Sequence, residues 1–385
     1  MSRPARSISR QSAGASTDTL GGFSLFVALL STIVDASDGP VRYEFFRKTL
    51  TRIEAVMRVS PGGCWLATAC MVCGLFSSVA EAAPPKHRFL SADSSKGRLA
   101  IIDEQGQTEW ETKIGPLHDL HMLSNGNVLF QTAWTKLVEI EPANGTVVWQ
   151  YDAAKQNGNE GKKVEVHAFQ RLDNGNTLIA ESGPSRLIEV DRDGKLVHSI
   201  QLAVSKPHPH RDTRLVRKLP GGTYLVCHEG DGVVREYDAQ GKTIWEYQVP
   251  LFGRQPAGGH GVEAFGNQCF AALRLSNGNT LLSTGNGHGI IEVTPDKKIV
   301  WQLQQRDLPG IELAWVTTLQ VLPSGNIVLG NCHAGKTNPQ IIEISRDKQV
   351  VWKFQDFERF GDSLTNTQVL TTDGQTIPAT LGSHR

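Results

Sequence analysis

Leu123-Ser124-Asn125-Gly126-Asn127-Val128-Leu129-Phe130 leads, after six residues, into Leu137-Val138-Glu139-Ile140-Glu141, and the phrase closes on Val147-Val148-Trp149. The same phrase returns four times, as LDNGNTLI with RLIEVDRDGKLVH, LPGGTYLV with VVREYDAQGKTIW, LSNGNTLL with GIIEVTPDKKIVW, and LPSGNIVL with QIIEISRDKQVVW. Its turns stand at Asn125, Asn174, Gly221, Asn277 and Ser324, in steps of 49, 47, 56 and 47 residues. An Asn-Gly pair between two apolar runs is a strong hairpin signal, because a tight hairpin turn takes positive φ at its two central residues. Each copy therefore opens on a hairpin. Its second half, such as Leu187-Ile188-Glu189-Val190, a turn at Asp193-Gly194-Lys195 and Leu196-Val197, reads as two further strands.

Four strands repeated at this period make the blades of an all-β propeller. Before the first full copy stands a partial one, Arg98 to Ile102 through Gly106 to Trp110, which lacks an opening hairpin. After the last copy, Asn366-Thr367-Gln368-Val369-Leu370 matches the opening strand Thr317-Thr318-Leu319-Gln320-Val321, and Asp373 falls 49 residues after Ser324. The spacing predicts a six-bladed β-propeller of four-stranded blades, closed by the C-terminal strand completing the first blade. Such closure leaves no unpaired sheet edge between the two ends of the chain. The Trp series, Trp110, Trp149, Trp245, Trp301 and Trp352, holds one position of the last strand, with His198 in its place once, and is read as packing between blades.

The repeats leave residues 1–82 to a separate account. Met57-Arg58, an apolar stretch from Cys64 to Val79, and Ala80-Glu81-Ala82 give a charged start, a hydrophobic core and a small-x-small cleavage site. Residues 57–82 are thus expected to be a signal peptide, and 83–385 the propeller domain. The alternative is a membrane anchor, for which the apolar stretch is short against the roughly 20 residues a spanning helix takes. Residues 1–56 are expected to be a non-native or disordered leader, with translation starting at Met57. The expected location is periplasmic or secreted.

Thirty-nine Lys and Arg balance thirty-nine Asp and Glu. A net charge of zero gives no footprint for nucleic acid or for an anionic membrane, so neither is expected as a partner after signal cleavage. The domain is expected to act as a monomer. Of six cysteines three precede the domain, leaving Cys227, Cys269 and Cys332. Blade phase sets Cys227 and Cys332 two blades apart, so no disulfide framework is expected.

Chemistry in a propeller concentrates where the innermost strands begin around the channel. His118, His167 and His210 precede innermost strands and are the candidate catalytic residues; His118 and His167 each lie seven residues before their turn. His121, His208, Arg211, Asp212, Arg214 and His260 are candidate ligand-binding residues on the same face. Converging imidazoles bind anions when protonated, ligate metals when neutral, or move protons. They also serve simply to lock neighbouring blades by hydrogen bonds. Cys227-His228, His288 and Cys332-His333 form a second set in phase, but no pair has a metal-ligand interval, and neighbours on a strand point to opposite faces. No metal is expected.

The phrase from His118-Asp119 through Asn125-Gly126-Asn127 to "VEIEPANGTVVWQY" resembles the repeat of arylsulfotransferase-type six-bladed propellers. It is also similar to the broader pyrroloquinoline-quinone-type (PQQ-like) repeat, whose blades close on a Gly-Lys-x-x-Trp unit, here Gly241-Lys242-Thr243-Ile244-Trp245. The first resemblance implies group transfer through a histidine that carries the sulfuryl group, with His118, His167, His208, His210 and His260 as candidates beside Arg211 and Arg214. That family's His-x-Asn-Ser motif has no counterpart here, where the corresponding strand ends Ser283-Thr284-Gly285-Asn286. The quinone enzymes are eight-bladed with adjacent cysteines, so the second resemblance implies shared architecture without the quinone, and no cofactor is expected. Two readings follow. One is an exported propeller that binds a small molecule, glycan or protein at the His-rich face; the other is arylsulfotransferase-like transfer.

Overall fold

A computed structural model describes residues 83–205, 207–378 and 382–385. The expected leader and signal lie outside the described residues. The described chain holds strands and no helix. Blade I takes β1 (His87–Asp93), β2 (Arg98–Ile102) and β3 (Thr108–Lys113). Blade II is β4 (Leu120–Met122), β5 (Val128–Ala133), β6 (Lys136–Glu141) and β7 (Thr146–Asp152). Blade III is β8 (Glu165–Arg171), β9 (Thr177–Ser182), β10 (Arg186–Val190) and β11 (Leu196–Gln201). Blade IV is β12 (Val216–Lys218), β13 (Tyr224–His228), β14 (Val233–Tyr237) and β15 (Thr243–Gln248). Blade V is β16 (Ala271–Arg274), β17 (Thr280–Ser283), β18 (Ile290–Val293) and β19 (Ile299–Leu303). Blade VI is β20 (Trp315–Val321), β21 (Ile327–Cys332), β22 (Ile341–Ile344) and β23 (Val350–Phe354). The chain then returns to blade I with β24 (Leu364–Thr372) and the short β25 (Gln375–Thr376).

The six-bladed propeller is thus present as the repeats predict, each blade an antiparallel sheet in chain order. Closure is also as expected. In the first sheet β24 pairs with β1, setting Phe89 against Val369 and Leu90 against Gln368.

The hairpins differ from expectation in one respect. The Leu123 carbonyl accepts from Gly126 N at 2.9 Å, and only Gly126, at φ 85°, is left-handed; Asn125 is not. The turn is therefore a three-residue one, closed by a glycine bulge, and not a two-residue turn with both central residues at positive φ. Asn125 earns its place through its side chain, whose Oδ1 accepts from Asn127 N at 3.0 Å.

The inner strands of each blade are buried on both faces while the outermost strand is largely exposed, and the apolar core falls into six clusters, one at each blade boundary. Alternation along a strand feeds two of them at once: Leu129 packs toward blade III, while Val128 and Phe130 pack toward blade I. Outer strands add polar ties. The indole N–H groups of Trp149, Trp245 and Trp301 donate to the carbonyls of Arg192, Pro295 and Arg346 in the next blade, at 3.0, 3.0 and 2.8 Å. The glutamate repeated in the third strand completes the seam. Glu139 accepts from Arg171 at 2.8 Å and Arg192 at 2.7 Å, both on blade III, and Glu189 accepts from Lys218 and Tyr224 on blade IV.

Candidate functional site

Where the innermost strands begin, the ring encloses a cavity of about 750 Å³. Aromatic walls come from Trp134, in the turn between β5 and β6, and from Phe270 and Trp315 at the starts of innermost strands. The stretch between β15 and β16, which accounts for the longest repeat step, supplies Pro256 to His260 and Phe265 to Gln268. It is held by a two-way backbone pairing of Ala257 with Phe265 and by the Arg254 guanidinium 3.5 Å over the Phe265 ring.

The structure brings His118, His167 and His210 together beside Trp134. Ring centroids lie 4.8 Å apart for His118 and His167, 5.0 Å for His167 and His210, and 5.7 Å for His118 and His210. His118 and His210 line the cavity, whereas His167 is fully buried behind them. Glu165, two residues before His167 on β8, joins the group across a bulge between Val166 and Ala168 that leaves His167 unpaired in the ladder. Its Oε2 lies 2.7 Å from His210 Nδ1 and 3.3 Å from His167 Nε2.

The hydrogen-bond partners assign the protons. His167 Nε2 lies 3.2 Å from the Pro209 carbonyl, which only accepts, so Nε2 carries the hydrogen and Nδ1 is bare. The 2.9 Å contact between His118 Nδ1 and His167 Nδ1 is then a donation from His118. That leaves His118 Nε2 unprotonated, with no hydrogen-bond partner among the described residues. Burial, followed by the Arg214 charge, holds the His118 pKa well below its ordinary value. Burial likewise lowers His167 to about 3 and lowers His210. Hydrogen bonding from His167 leads the causes that bring Glu165 down to about 2. Near neutral pH the cluster is three neutral imidazoles and one carboxylate.

The remaining predicted residues separate into two groups. Arg211 and His260 are exposed and line the cavity, His260 stacked on Trp315 with centroids 5.5 Å apart. Arg214 also lines it but is buried, paired with Glu229. Three others do not reach it. His208 is exposed on the surface, and Asp212 is buried, accepting from Gly183 N at 2.8 Å and Ser185 Oγ at 2.7 Å. His121 lies deeper in the channel, where Nε2 donates to the Phe169 carbonyl at 2.7 Å and Nδ1 accepts from Arg385 at 2.8 Å. The second His set also divides. His228 sits between the Asp212 carbonyl and the Tyr237 hydroxyl and His288 between the Ala314 and Ala264 carbonyls, while His333 turns into the cavity, its ring centroid 5.5 Å from that of His260. Cys227, Cys269 and Cys332 are free and buried.

Beneath His118, Asp119 fills the channel axis. Its carboxylate takes two hydrogen bonds from Arg217, at 2.7 and 3.0 Å, and further ones from Phe169 N and Asn366. Arg385 is buried in the same hub, donating to the Leu120 carbonyl at 2.6 Å. Burial alone would raise the Asp119 pKa, but the charge of Arg217, with His121, outweighs it and holds the carboxyl well below the usual carboxylate range.

Fold and site together define a six-bladed propeller with a histidine-lined, aromatic-walled pit at its channel mouth. A family model described as outer membrane protein assembly factor BamB matches residues 95–354, and the chain belongs to this PQQ-like propeller family. No curated protein matches it in sequence. Among solved structures it is similar to a protein of unknown function from Bacteroides caccae, at 22% identity and a TM-score of 0.61, over 74% of this chain and 98% of that one. A streptogramin B lyase shares 13% identity over 72% of this chain and 85% of its own, with a TM-score of 0.45. The virginiamycin B lyase of Staphylococcus aureus, solved with quinupristin, shares 14% over 71% and 84%, also at 0.45. These likenesses concern the fold.

Proposed function

We propose that this protein is an exported propeller that binds a small organic ligand at its channel-mouth cavity, by stacking on aromatic walls and by hydrogen bonds to histidine and arginine. The observation that carries this reading is the cavity itself. Its volume of about 750 Å³ suits a ligand of several rings, within the roughly 300–1,000 Å³ usual for such sites. Trp134, Phe270 and Trp315 offer faces to an aromatic or sugar ring, and Arg211 offers donors to an anionic substituent. Export rests on the sequence of residues 57–82 alone. Titration with p-nitrophenyl sulfate, an aromatic anion, is expected to quench tryptophan fluorescence saturably, and Trp134→Phe to remove part of the quench. No saturable change with that anion, or with oligosaccharides, would overturn the reading.

A second reading is favoured by one observation, the bare Nε2 of His118 backed by His167 and Glu165. A neutral, oriented imidazole of this kind is a nucleophile. Its Nε2 would bond to the sulfur of an aryl sulfate as the aryl O–S bond breaks and phenolate leaves. An acceptor hydroxyl would then take the sulfuryl group, its proton passing to solvent. Mass spectrometry of protein incubated with p-nitrophenyl sulfate is expected to find a sulfated His118 under this reading. An unlabelled protein with His118→Ala still binding the anion would leave binding alone.

A further inference from the structure

We infer that Glu165, His167 and His210 form a three-ligand site for a borderline first-row divalent cation of the zinc type, beside the cavity. One ligand atom from each lies within 4.8 Å of the others. In a tetrahedral zinc site, bonds of about 2.0–2.2 Å set neighbouring donor atoms about 3.3 Å apart. The separation of Glu165 Oε2 from His167 Nε2 is already 3.3 Å. That from Glu165 Oε2 to His210 Nδ1, now a 2.7 Å hydrogen bond, must open by a few tenths of an ångström. Both side chains retain room to move, with 23% of Glu165 and 40% of His210 exposed. Two imidazoles and a carboxylate select zinc-type ions over calcium or magnesium, which take oxygen ligands. The partial exposure leaves a fourth position open to water or to a donor atom of a ligand, the arrangement of reactive rather than structural sites.

The surrounding hydrogen bonds add a second, independent consequence. An ion on His167 Nε2 displaces the hydrogen now given to Pro209, so His167 Nδ1 becomes the protonated nitrogen. His167 then donates to His118 Nδ1, and the hydrogen of His118 moves to Nε2. The residue facing the cavity changes from acceptor to donor. Metal loading and a nucleophilic His118 are therefore mutually exclusive. Sequence spacing does not reveal the site because His210 stands on a loop before blade IV while Glu165 and His167 start blade III.

The test is direct metal binding by the purified protein, stripped with chelator and dialysed against Zn²⁺, with Co²⁺ as the spectroscopic probe. One equivalent of Zn²⁺ is expected by elemental analysis and calorimetry, together with visible absorption of tetrahedral Co²⁺. Glu165→Gln and His210→Ala should each weaken binding at least 10-fold, while His198→Ala, on the outer strand of blade III, should leave it unchanged. Circular dichroism and thermal unfolding of each variant separate loss of the site from loss of the fold. Binding weaker than millimolar in the wild-type protein, or full retention in both ligand variants, would overturn the inference. Ligand binding at the cavity is measured separately by tryptophan quenching, so failure of one proposal does not disguise failure of the other.

Discussion

Replacing Asp119 by Ala would remove the anion at the hub of the channel. Arg217, now paired twice with that carboxylate at 2.7 and 3.0 Å, would keep the Val216 carbonyl and a long 3.4 Å contact with a main-chain oxygen of Arg385, and the Arg385 guanidinium beside it would lose the charge of Asp119. All three residues are buried. Breaking a buried pair by deleting one partner costs about 3–5 kcal/mol, because the remaining charge is desolvated without compensation. For a domain of roughly 300 residues such a loss lowers Tm by roughly 5–8 °C. Urea unfolding followed by tryptophan fluorescence would measure it. Adding Arg217→Met removes the stranded charge, so the double variant is expected to be more stable than Asp119→Ala alone by about 1–3 kcal/mol. A single-variant loss below about 1 kcal/mol, or a double variant at the sum of the two single losses, would refute the view that the hub is held by compensated charge.

Three further outcomes are expected. His228 is buried and neutral, its pKa lowered from 6.5 to about 4 by burial first and then by Arg235. The unfolded chain therefore binds the proton more readily, stability is unaffected above pH 6.5, and about 3 kcal/mol is lost as pH falls from there toward 4; a His228→Gln variant should show a shallower acid limb in urea titrations. Trp301→Phe deletes the 2.8 Å bond to the Arg346 carbonyl and weakens the stacking of that guanidinium, 4.5 Å from the ring, so a loss of about 1–2 kcal/mol should appear in thermal unfolding. Gly285 sits at φ 55° against the Gln268 carbonyl, where a Cβ would collide. Gly285→Ala is expected to cost about 1–3 kcal/mol and, by displacing Gln268 and Asn286 in the cavity wall, to abolish quenching by p-nitrophenyl sulfate.

The ring was legible because its determinants are local and repeated: a glycine turn, alternating apolar residues and a tryptophan recur in phase. Even the closing strand followed from matching Asn366 to Leu370 with Thr317 to Val321. The turn type did not, since Asn-Gly fits both a two-residue turn and the observed bulged one, and only the hydrogen bond from Gly126 to Leu123 decides. At the channel mouth, phase singled out His118 and His167, and position ahead of an innermost strand added His210; the three stand together in space. Glu165 was missed because the bulge between Val166 and Ala168 breaks the alternation that would have placed it relative to His167. Trp134 carried no signal, and His333, though in phase with His228 and His288, gave no sign of facing the cavity, because a residue in a turn or just past a strand end has no fixed direction in a periodic pattern. Arg385 reaches the channel by tertiary contact alone.

Closure of blade I by β24 also sets a timetable for synthesis. About 270 residues separate the end of β1 from the start of its partner. At ribosomal speeds of about 5–20 residues per second, the first sheet waits roughly 14–54 s with one edge open. Throughout that interval its backbone donors and acceptors are a template for any passing strand. A holding factor, or delivery of the chain unfolded to the place where it finally closes, would spare the nascent protein that hazard; pulse-labelled chains halted before Leu364 should be markedly more prone to aggregate than chains halted after Thr372.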